Sequence, residues 1–460
     1  MARWAPTSRF RRGSQPRSTI VVPVGDHDAS SREAVAASTR RQTLPGCSVG
    51  SLDDVTDDAV MTVFVDPGWA FDSSFAAAAH HQVAVENATA VYADDATSPR
   101  PHPDWAPESL LDRCVIGGVL AVTPECWHHL GDVTMPVSVH DVALRLIEAG
   151  ASAHHIRSPL TSGPAAGHTV TDHIRETIER RVDRYLADYG VRSISGRQKQ
   201  QLFTSAPERV SVIVPTAGRA DDDGRRFIDR FLTSLSTNRT QHDLDVIAVT
   251  DPDMDEVTAS GLAVSNVSYR VPFNFSDACN WGAAQARGNV LAFINDDIEV
   301  TDPLWLDELV ALTRLPGVGA VGPVLMYPDG TVQSAGHMDP GPTTFGRGYR
   351  LTNGDDPWVE EQLSSVRNAT GITAACMVIR RSVFNAAQGF DSSFPLAFND
   401  VDLCNRIVDA GYRVVVSPAC SVIHHESRTR PGGASPGEEQ LLVDRWPNRH
   451  QMGQPDAFLG

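Results

Sequence analysis

The chain has 460 residues, 41% of them hydrophobic, and a formal net charge of −18. This length predicts two or three domains, and the apolar content excludes a disordered chain. The negative charge argues against nonspecific nucleic-acid binding, which depends on lysine and arginine side chains at the phosphates. The seven cysteines show no C-x-x-C spacing, which predicts reduced thiols in a cytoplasmic protein.

The first 18 residues contain five arginines and no acidic residue. They lack an apolar segment followed by a cleavage site, so we expect a disordered basic tail over residues 1–18 rather than a secretory signal. Weak contact of this tail with anionic lipid at the inner face of the membrane is the alternative. No apolar run in the chain reaches the length of a membrane span.

Short apolar segments rich in β-branched residues predict strands in the first half of the chain. They are TIVVPVG at 19–25, TVFVDPGW at 62–69 and IGGVLAVTPECW at 116–127. We therefore expect an α/β domain over residues 19–165. Apolar residues at helical spacing in 172–190 then predict an amphipathic connecting helix, part of a linker over residues 166–208.

The second half alternates predicted strands with predicted helices. The strands are RVSVIVPTAGR at 209–219, LDVIAVTD at 244–251 and NVLAFIND at 289–296. The alternation predicts a doubly wound, Rossmann-like α/β sheet, in which ligands bind beyond the carboxyl ends of the strands. Thr216, Asp251 and the pair Asp296–Asp297 would lie at those ends. Residues 431–460 are predicted to form a C-terminal tail.

Two adjacent carboxylates, Asp296 and Asp297, end an apolar strand in the segment FINDDIEV at 293–300. Acidic side chains are poor strand residues, and neighbouring like charges repel. A divalent cation such as Mg²⁺ or Mn²⁺ would explain them, because Mg²⁺ binds carboxylate oxygens together with substrate phosphates. A strand-end turn, where Asn and Asp are common, is the alternative from this segment alone.

A second acidic site opens a predicted helix in NDVDLCNRIVDAGY at 399–412. Arg406 follows Asp402 by four residues, so these two side chains can pair on one face of the helix. Asp400 is then the carboxylate available as a general base. An ordinary N-terminal cap is the alternative. The segment VIHHESRTR at 422–430 adds side chains suited to an anion or a metal ion.

A relative of this helix occurs earlier in the chain, as SVHDVALRLIEAGA at 138–151. Aligned without a gap, the residues that match are Asp402 with Asp141, Arg406 with Arg145 and Gly411 with Gly150. Val139 stands in place of Asp400, and Pro67–Gly68 in place of Asp296–Asp297. The sequence thus predicts one chemically competent copy and one copy that keeps only the framework.

On these segments the second half resembles a family 2 glycosyltransferase of the GT-A fold, in the bacterial rhamnosyltransferase-like branch that builds surface polysaccharides. The similarity covers residues 209–430. It is carried by VSVIVPTAGR, VPFNFSDACNWGAAQARGNVLAFINDDIEVTDPLWLDEL, GVGAVGPVLMYPDGTVQSAGH, GITAACMVIRRSVFNAAQGFD, FPLAFNDVDLCNRIVDAGYRVVVSP and IHHESRTR. The first half resembles a degenerate, shortened tandem copy of the same fold.

The resemblance implies a role for each candidate residue. Asp400 is expected to be the catalytic base, and Asp402 with Arg406 to support the acceptor side or the local structure. Asp297 and His424 are expected to bind the metal ion. The residues expected to bind the nucleotide sugar are Thr216, Asp251, Asn295 and Asp296.

The implied reaction is the metal-dependent, inverting transfer of a sugar from a nucleotide-sugar donor to a glycan or lipid-linked glycan acceptor, in cell-wall or surface-polysaccharide synthesis. Mg²⁺ or Mn²⁺ would be the cofactor. A cytoplasmic enzyme is expected, and peripheral membrane contact and homo-oligomer formation are left open. Two other functions remain as alternatives: a non-catalytic protein that binds sugar nucleotides or glycans, and a nucleotidyltransferase.

Overall fold

The structure, a computed structural model, describes the greater part of the chain. The described residues are 19–44, 46–54, 59–98, 102–130, 136–164, 171–195, 201–269, 272–338, 346–347, 352, 363, 365–425 and 436–447. Contacts divide the chain into two compact units, of which unit 1 runs to Tyr185 and unit 2 runs from Leu186 to Gln454. The predicted basic tail, residues 1–18, lies outside the described residues. Within the described part of the chain, no helix is both long and apolar enough to cross a bilayer.

Strands and helices alternate through unit 1. Its strands are β1 (Thr19–Pro23), β2 (Cys47–Val49), β3 (Met61–Val65), β4 (Ala70–Phe71), β5 (Ala90–Asp95), β6 (Val119–Val122) and β7 (His154–Ser162). Its helices are α1 (Ala29–Arg40), α2 (Phe75–Glu86), α3 (Pro107–Leu110), α4 (Pro124–His129), α5 (Val139–Glu148) and α6 (Asp172–Asp188), which ends just beyond the division, with a 3₁₀ turn at Leu52–Asp54.

The strands of unit 1 form one sheet in the order β2-β1-β3-β6-β5-β7-β4. β1 is parallel to β2 and β3, and β5 is parallel to β7. β6 is antiparallel to β3 and β5, and β4 is antiparallel to β7. Val21 and Val63 of the sheet share one buried core with Phe75 of α2, so a helix covers this face of the sheet.

Unit 2 is larger. Its strands are β8 (Val191–Ser195), β9 (Gln201–Ser205), β10 (Arg209–Thr216), β11 (Asp243–Thr250), β12 (Val264–Ser268), β13 (Val290–Ile294), β14 (Ile298–Val300), β15 (Val318–Met326), β16 (Val332–Ser334), β17 (His337–Met338), β18 (Gly346–Arg347), β19 (Arg367–Ala369), β20 (Cys376–Arg380) and β21 (Arg413–His424). Its helices are α7 (Phe227–Thr237), α8 (Phe275–Gln285), α9 (Trp305–Leu312), α10 (Arg381–Ala386), α11 (Asn399–Asp409) and α12 (Pro436–Arg445).

The main sheet of unit 2 follows the path β12-β11-β10-β13-β20-β15-β21-β14. The first four strands are parallel, and Ile213 pairs with both Ile247 and Phe293. All three side chains are buried, as apolar strands covered on both faces require. β20 is antiparallel to its two neighbours, β21 is parallel to β15, and β14 is antiparallel to β21. The predicted α/β organisation is confirmed.

Seven strands of this sheet repeat the order and the directions found in unit 1. The strands β11, β10, β13, β20, β15, β21 and β14 stand where β2, β1, β3, β6, β5, β7 and β4 stand in the smaller sheet. Every neighbouring pair that is parallel in one sheet is parallel in the other, and every antiparallel pair is antiparallel in both. Unit 2 adds β12 at one edge.

An antiparallel hairpin of β8 and β9 lies in the stretch predicted as a linker. Phe203 in β9 donates its backbone N–H to the carboxyl group of Glu308 on α9. Ser417 Oγ donates to the other oxygen of Glu308 over 2.8 Å. Burial raises the pKa of Glu308 to about 8. This buried carboxyl group anchors the hairpin through its two hydrogen bonds.

Candidate active site

The acid turn, defined here as Asn295, Asp296 and Asp297, joins the carboxyl end of β13 to β14. Both aspartates are buried, as is Thr216 at the end of the neighbouring strand β10. Thr216 Oγ1 donates to Asp296 Oδ2 over 2.6 Å, and Gly218 N donates to Thr216 Oγ1 over 3.1 Å. These bonds join the ends of β10 and β13 and orient the Asp296 carboxylate.

His424, at the end of β21, lies directly beside the acid turn. β14 pairs with β21 so that Ile298 stands opposite His424. His424 Nε2 is 3.1 Å from Asp297 Oδ1, and His425 N donates to the Asp297 carbonyl oxygen over 3.0 Å. The side chains of Asp297 and His424 are both buried. The strand register therefore brings together the two side chains expected to bind a metal ion.

The separation of these two donor atoms suits a single divalent cation. Adjacent ligands of an octahedral ion with bonds of about 2.1 Å are about 3 Å apart, close to the 3.1 Å between Asp297 Oδ1 and His424 Nε2. Among the described residues, no group of three or more His, Cys, Asp or Glu side chains forms a ready-made metal cage. Mg²⁺ sites in nucleotide-binding enzymes often use one or two protein ligands and take the others from phosphates and water. The residues present fit such a site.

Asp400 lies in the first turn of α11. Its Oδ2 accepts a hydrogen bond from Ala374 N over 3.1 Å, and its Oδ1 accepts one from Val401 N over 2.8 Å. Phe398, just before the helix, has a φ of 58°, a left-handed conformation that is rare for an aromatic residue and is found mostly where surrounding contacts impose it. Asp400 remains partly exposed.

Two adjacent alanines connect Asp400 to the acid turn. Ala374 N donates to Asp400, and the Ala375 carbonyl oxygen accepts from Asn295 N over 2.9 Å. Both alanines precede β20, which is antiparallel to β13. Because both bonds are made by the backbone, this connection fixes Asp400 and the acid turn at one edge of the sheet regardless of the alanine side chains.

Asp402 is fully buried and is held by three neighbouring side chains. Arg406 contacts its Oδ2 through Nε at 2.9 Å and Nη2 at 2.8 Å. Arg445 Nη1 and Trp446 Nε1 each donate to its Oδ1 over 3.0 Å. These contacts give Asp402 and Arg406 a structural role in fixing α11, while Asp400 on the same helix takes no part in the pairing.

α12 lies within the stretch predicted as a C-terminal tail. Besides holding Asp402, this helix supplies Glu438, whose Oε1 accepts from Leu396 N and Ala397 N, both over 2.9 Å. Those two residues belong to the loop that leads to Asp400. The sequence does not predict the helix, because the Pro and Gly residues of RPGGASPG at its start indicate a loop. The helix α12 is stabilised by its contacts with α11 and with the loop before α11, not by a local sequence pattern.

Asp251 and Asn295, both expected at the nucleotide sugar, lie in different surroundings. Asp251 follows β11 and is exposed, and its Oδ1 accepts from Asp253 N over 2.9 Å, so it caps its own turn. Asn295 Nδ2 lies 3.5 Å from His424 Nε2, which places its amide next to the candidate cation site. Three further residues of the predicted anion-binding segment lie outside the described residues: Glu426, Arg428 and Arg430.

Comparison with known proteins points to one family. The family model described as Glycosyl transferase family 2 matches residues 211–387. The chain is 32% identical over 362 residues to the O-antigen biosynthesis protein RfbC of Myxococcus xanthus, a match that covers 74% of this chain and 28% of that protein. The chain therefore spans little more than a quarter of that relative's length.

A second relative is matched over most of its own length. The N-acetylglucosaminyl-diphospho-decaprenol L-rhamnosyltransferase of Mycobacterium tuberculosis (strain CDC 1551 / Oshkosh) is 28% identical over 229 residues, covering 44% of this chain and 73% of that protein. Among solved structures, GalNAc-T7 with UDP, GalNAc and Mn²⁺ aligns at a TM-score of 0.42 and 14% identity, over 62% of this chain and 58% of that one. Residues 211–387 of this chain are thus similar to glycosyl transferase family 2.

Proposed function

We propose that unit 2 transfers a sugar from a nucleotide sugar to a hydroxyl group of a glycan, with inversion at the anomeric carbon, in the synthesis of a bacterial surface polysaccharide. The family match and the O-antigen and rhamnosyltransferase relatives agree with this function. One structural observation supports this function most strongly. The Ala374–Ala375 backbone holds a partly exposed carboxylate, Asp400, at the same sheet edge as the buried pair of Asp297 and His424.

Asp400 accepts the proton of the acceptor hydroxyl as general base. The acceptor oxygen forms a bond to the anomeric carbon while the bond from that carbon to the diphosphate oxygen breaks on the opposite face. The electron pair of that bond leaves with the nucleoside diphosphate, and Asp400 later releases its proton to water. This single displacement needs no covalent enzyme intermediate.

The acid turn and its neighbours bind the donor in this proposal. A Mg²⁺ or Mn²⁺ ion held by Asp297 and His424 would supply Lewis-acid stabilisation of the departing diphosphate. Asp296, oriented by Thr216, contacts the sugar or ribose. Asp251, at the end of β11, lies at the nucleotide base.

The proposed donor implies the cellular compartment in which the enzyme acts. Nucleotide sugars are intracellular metabolites, so the proposed site of action is the cytoplasm. An acceptor carried on a lipid would place the enzyme at the inner face of the membrane.

Product analysis tests the proposed function. The full chain is mixed with a panel of nucleotide sugars and Mg²⁺, and phosphorus NMR follows the phosphate groups. A transferase releases nucleoside diphosphate, with water as a slow substitute acceptor. In a parallel sample with added pyrophosphate, formation of nucleoside triphosphate and sugar 1-phosphate would identify a nucleotidyltransferase instead. Thermal stabilisation by the nucleotide sugar without any product, even with added glycan acceptors, would favour a non-catalytic binding protein.

We also propose that unit 1 is a degenerate tandem copy of the unit 2 fold. The matching strand order supports this, and so does a matching ion-pair cluster. Asp141 is held by Arg145, at 2.9 Å on its own helix α5, and by Arg181, at 2.7 Å from the helix α6 that follows the last strand of the sheet. Asp402 is held in the same way, by one arginine on α11 and by Arg445 from α12, the next helix.

The space that corresponds to the cation site is filled in unit 1. Trp69 follows Pro67–Gly68, and its indole packs against the backbone before β6 and after β7. A Cβ atom on Gly118 would lie 2.5 Å from Trp69 Cδ1, and one on Gly163 would lie 2.9 Å from Trp69 Cζ2. Unit 1 has Ser162 and then Gly163 at the end of β7, where β21 of unit 2 has His424. Neither Ser162 nor Gly163 carries an imidazole, and Pro67–Gly68 carry no side-chain oxygen.

Asp66, Asp94 and Asp95 could form a metal site elsewhere in unit 1, but each of these three acids is engaged in local structure. Asp66 is buried and accepts from Val139 N over 2.8 Å, and burial raises its pKa to about 7. Asp94 Oδ1 lies 2.8 Å from His155 Nε2. Asp95 Oδ1 accepts from Thr97 N over 2.8 Å, which closes its own turn, and from Gly163 N over 3.1 Å just after β7. These contacts support a framework role and argue against a relocated metal site in unit 1.

Replacing Asp66, Asp94 and Asp95 together by asparagine in the full chain is expected to change turnover little, because the proposed chemistry lies in unit 2. Asparagine keeps the acceptor oxygen that each of these contacts uses. The comparison variant is Asp400→Asn, and circular dichroism checks the fold. A loss of turnover as large as that of Asp400→Asn, in a folded triple variant, would place part of the chemistry in unit 1.

A further inference from the structure

Gln333 is a buried glutamine, and its two side-chain hydrogen bonds both go to His424. It lies in β16 between Val332 and Ser334, and these residues are also buried. A fully buried polar side chain in a strand requires hydrogen-bond partners. The carboxamide of Gln333 finds them 91 positions away along the chain, in the histidine that faces Asp297.

Two hydrogen bonds fix the orientation of this carboxamide. Gln333 Nε2 donates to the backbone carbonyl oxygen of His424 over 3.3 Å. A carbonyl oxygen can only accept, so the nitrogen of the carboxamide must be the atom on that side. The oxygen, Oε1, therefore faces the imidazole, 2.6 Å from Nδ1. Because Oε1 can only accept, Nδ1 must carry a hydrogen and donate it.

The protonation of Nδ1 determines what the other ring nitrogen can do. In a neutral imidazole with a hydrogen on Nδ1, Nε2 carries a lone pair. That lone pair lies 3.1 Å from Asp297 Oδ1 and 3.5 Å from the amide nitrogen of Asn295. A lone pair and a carboxylate oxygen repel at this distance unless a proton or a metal ion lies between them. A divalent cation bound to both atoms would remove the repulsion and is the arrangement of a metal site.

We infer that Gln333 is a positioning residue, which holds His424 in the tautomer and ring orientation that present Nε2 to a divalent cation shared with Asp297. A ligating histidine commonly donates its other ring N–H to a fixed acceptor, and loss of that partner typically weakens metal binding about 10- to 100-fold. This inference rests on the proposed function, in which Asp297 and His424 bind the cation. It adds a residue that the sequence comparison leaves without a role.

The test replaces Gln333 by methionine, which has nearly the same shape but accepts no strong hydrogen bond. Calorimetry measures the affinity of the metal-free full chain for Mn²⁺, without donor or acceptor. We expect affinity about 10- to 100-fold weaker than wild type. Gln241→Met is the matched control, because Gln241 is exposed and bonds only Thr204 among the side-chain contacts described. Its Mn²⁺ affinity should equal that of wild type.

Two further measurements separate positioning from packing. Gln333→Glu keeps an oxygen for the Nδ1 hydrogen, so it should retain more Mn²⁺ affinity than Gln333→Met. Nitrogen NMR of ¹⁵N-histidine-labelled, metal-free protein reports the tautomer directly, with the His424 signals identified by their loss in His424→Gln. We expect a hydrogen-bearing Nδ1 and a hydrogen-free Nε2 in the wild type, and a mixture of tautomers in Gln333→Met.

The outcomes distinguish this inference from the function on which it rests. Wild-type Mn²⁺ affinity in a folded Gln333→Met variant would overturn the role of Gln333 and leave the cation site of Asp297 and His424 standing. A wild-type protein with the hydrogen on Nε2 would also overturn it. No Mn²⁺ binding by the wild type, even with a nucleoside diphosphate present, would overturn the proposed cation site and this inference together.

Discussion

Replacing Asp400 with asparagine is expected to lower the rate of sugar transfer by about a hundred- to ten-thousand-fold, the usual contribution of a general base. Asparagine has one acceptor oxygen in place of two, so it can keep the hydrogen bond from Ala374 N or the one from Val401 N, but not both. The contacts of Asp402 with Arg406 and Arg445 still hold α11 in place. Asparagine cannot take the proton of the acceptor hydroxyl. Binding of the nucleotide sugar, measured by calorimetry, should therefore stay within a few-fold of the wild type.

The helix itself offers a matched control for this variant. Asp409 is an exposed aspartate at the far end of α11, and Asp409→Asn makes the same chemical change away from the site. Its transfer rate should equal that of the wild type. If Asp400→Asn kept more than half of the wild-type rate, Asp400 would not be the base. If it lost donor binding as well, the residue would act in binding or in local structure.

Replacing Asp297 with alanine is expected to abolish both the binding of Mn²⁺ and the Mn²⁺-dependent binding of nucleoside diphosphates. The reason is that Asp297 supplies the one carboxylate at the candidate cation site that lies beside His424 Nε2. Calorimetry with UDP, GDP and dTDP, with and without Mn²⁺, measures both effects. The transfer rate should fall with them, because the charge that develops on the departing diphosphate is no longer neutralised.

An aspartate at the opposite end of the sheet serves as the control. Asp243 begins β11 and forms an exposed ion pair with Arg209, and exposed pairs contribute little to stability. Asp243→Ala should bind Mn²⁺ and nucleoside diphosphates like the wild type. Metal-enhanced diphosphate binding by Asp297→Ala equal to that of the wild type would remove Asp297 from the cation site.

Local patterns in the sequence are sufficient to predict several parts of the site. An apolar strand that runs into Asp296 and Asp297 predicts acids at a sheet edge. The spacing of Asp402 and Arg406 predicts their pairing, because four residues make about one helical turn. Asp400 is then identified as the carboxylate outside that pair. Each of these predictions depends on residues that are neighbours along the chain.

Other parts of the site depend on long-range contacts that no local pattern carries. Ala374 and Ala375 act through backbone atoms, which have no signature in the sequence. Gln333 is one polar residue in a short strand, and its role appears only when β16 and β21 bring it to His424. Glu438 lies beyond a segment rich in Pro and Gly, which indicates a loop. Tertiary contacts determine all of these placements.

Unit 1 likewise combines features that its sequence predicts with features that only the structure shows. Pro67–Gly68 and Val139 predict from the sequence alone that a metal site and a base are missing. Nothing in the sequence predicts that Trp69 packs against Gly118 and Gly163, because these contacts join three separate segments. The strand order of the two units can likewise be compared only once the pairing of strands in each sheet is known.

The most direct test of the account is the configuration of the sugar at the instant it leaves the donor. A donor identified by the product analysis is incubated with the full chain, Mg²⁺ and water as acceptor, and proton NMR records the anomeric signals before mutarotation mixes them. A single displacement assisted by Asp400 predicts that the first sugar released has the opposite anomeric configuration to the donor, and that Asp400→Asn suppresses its release. Initial release of a sugar with the configuration of the donor would contradict the account.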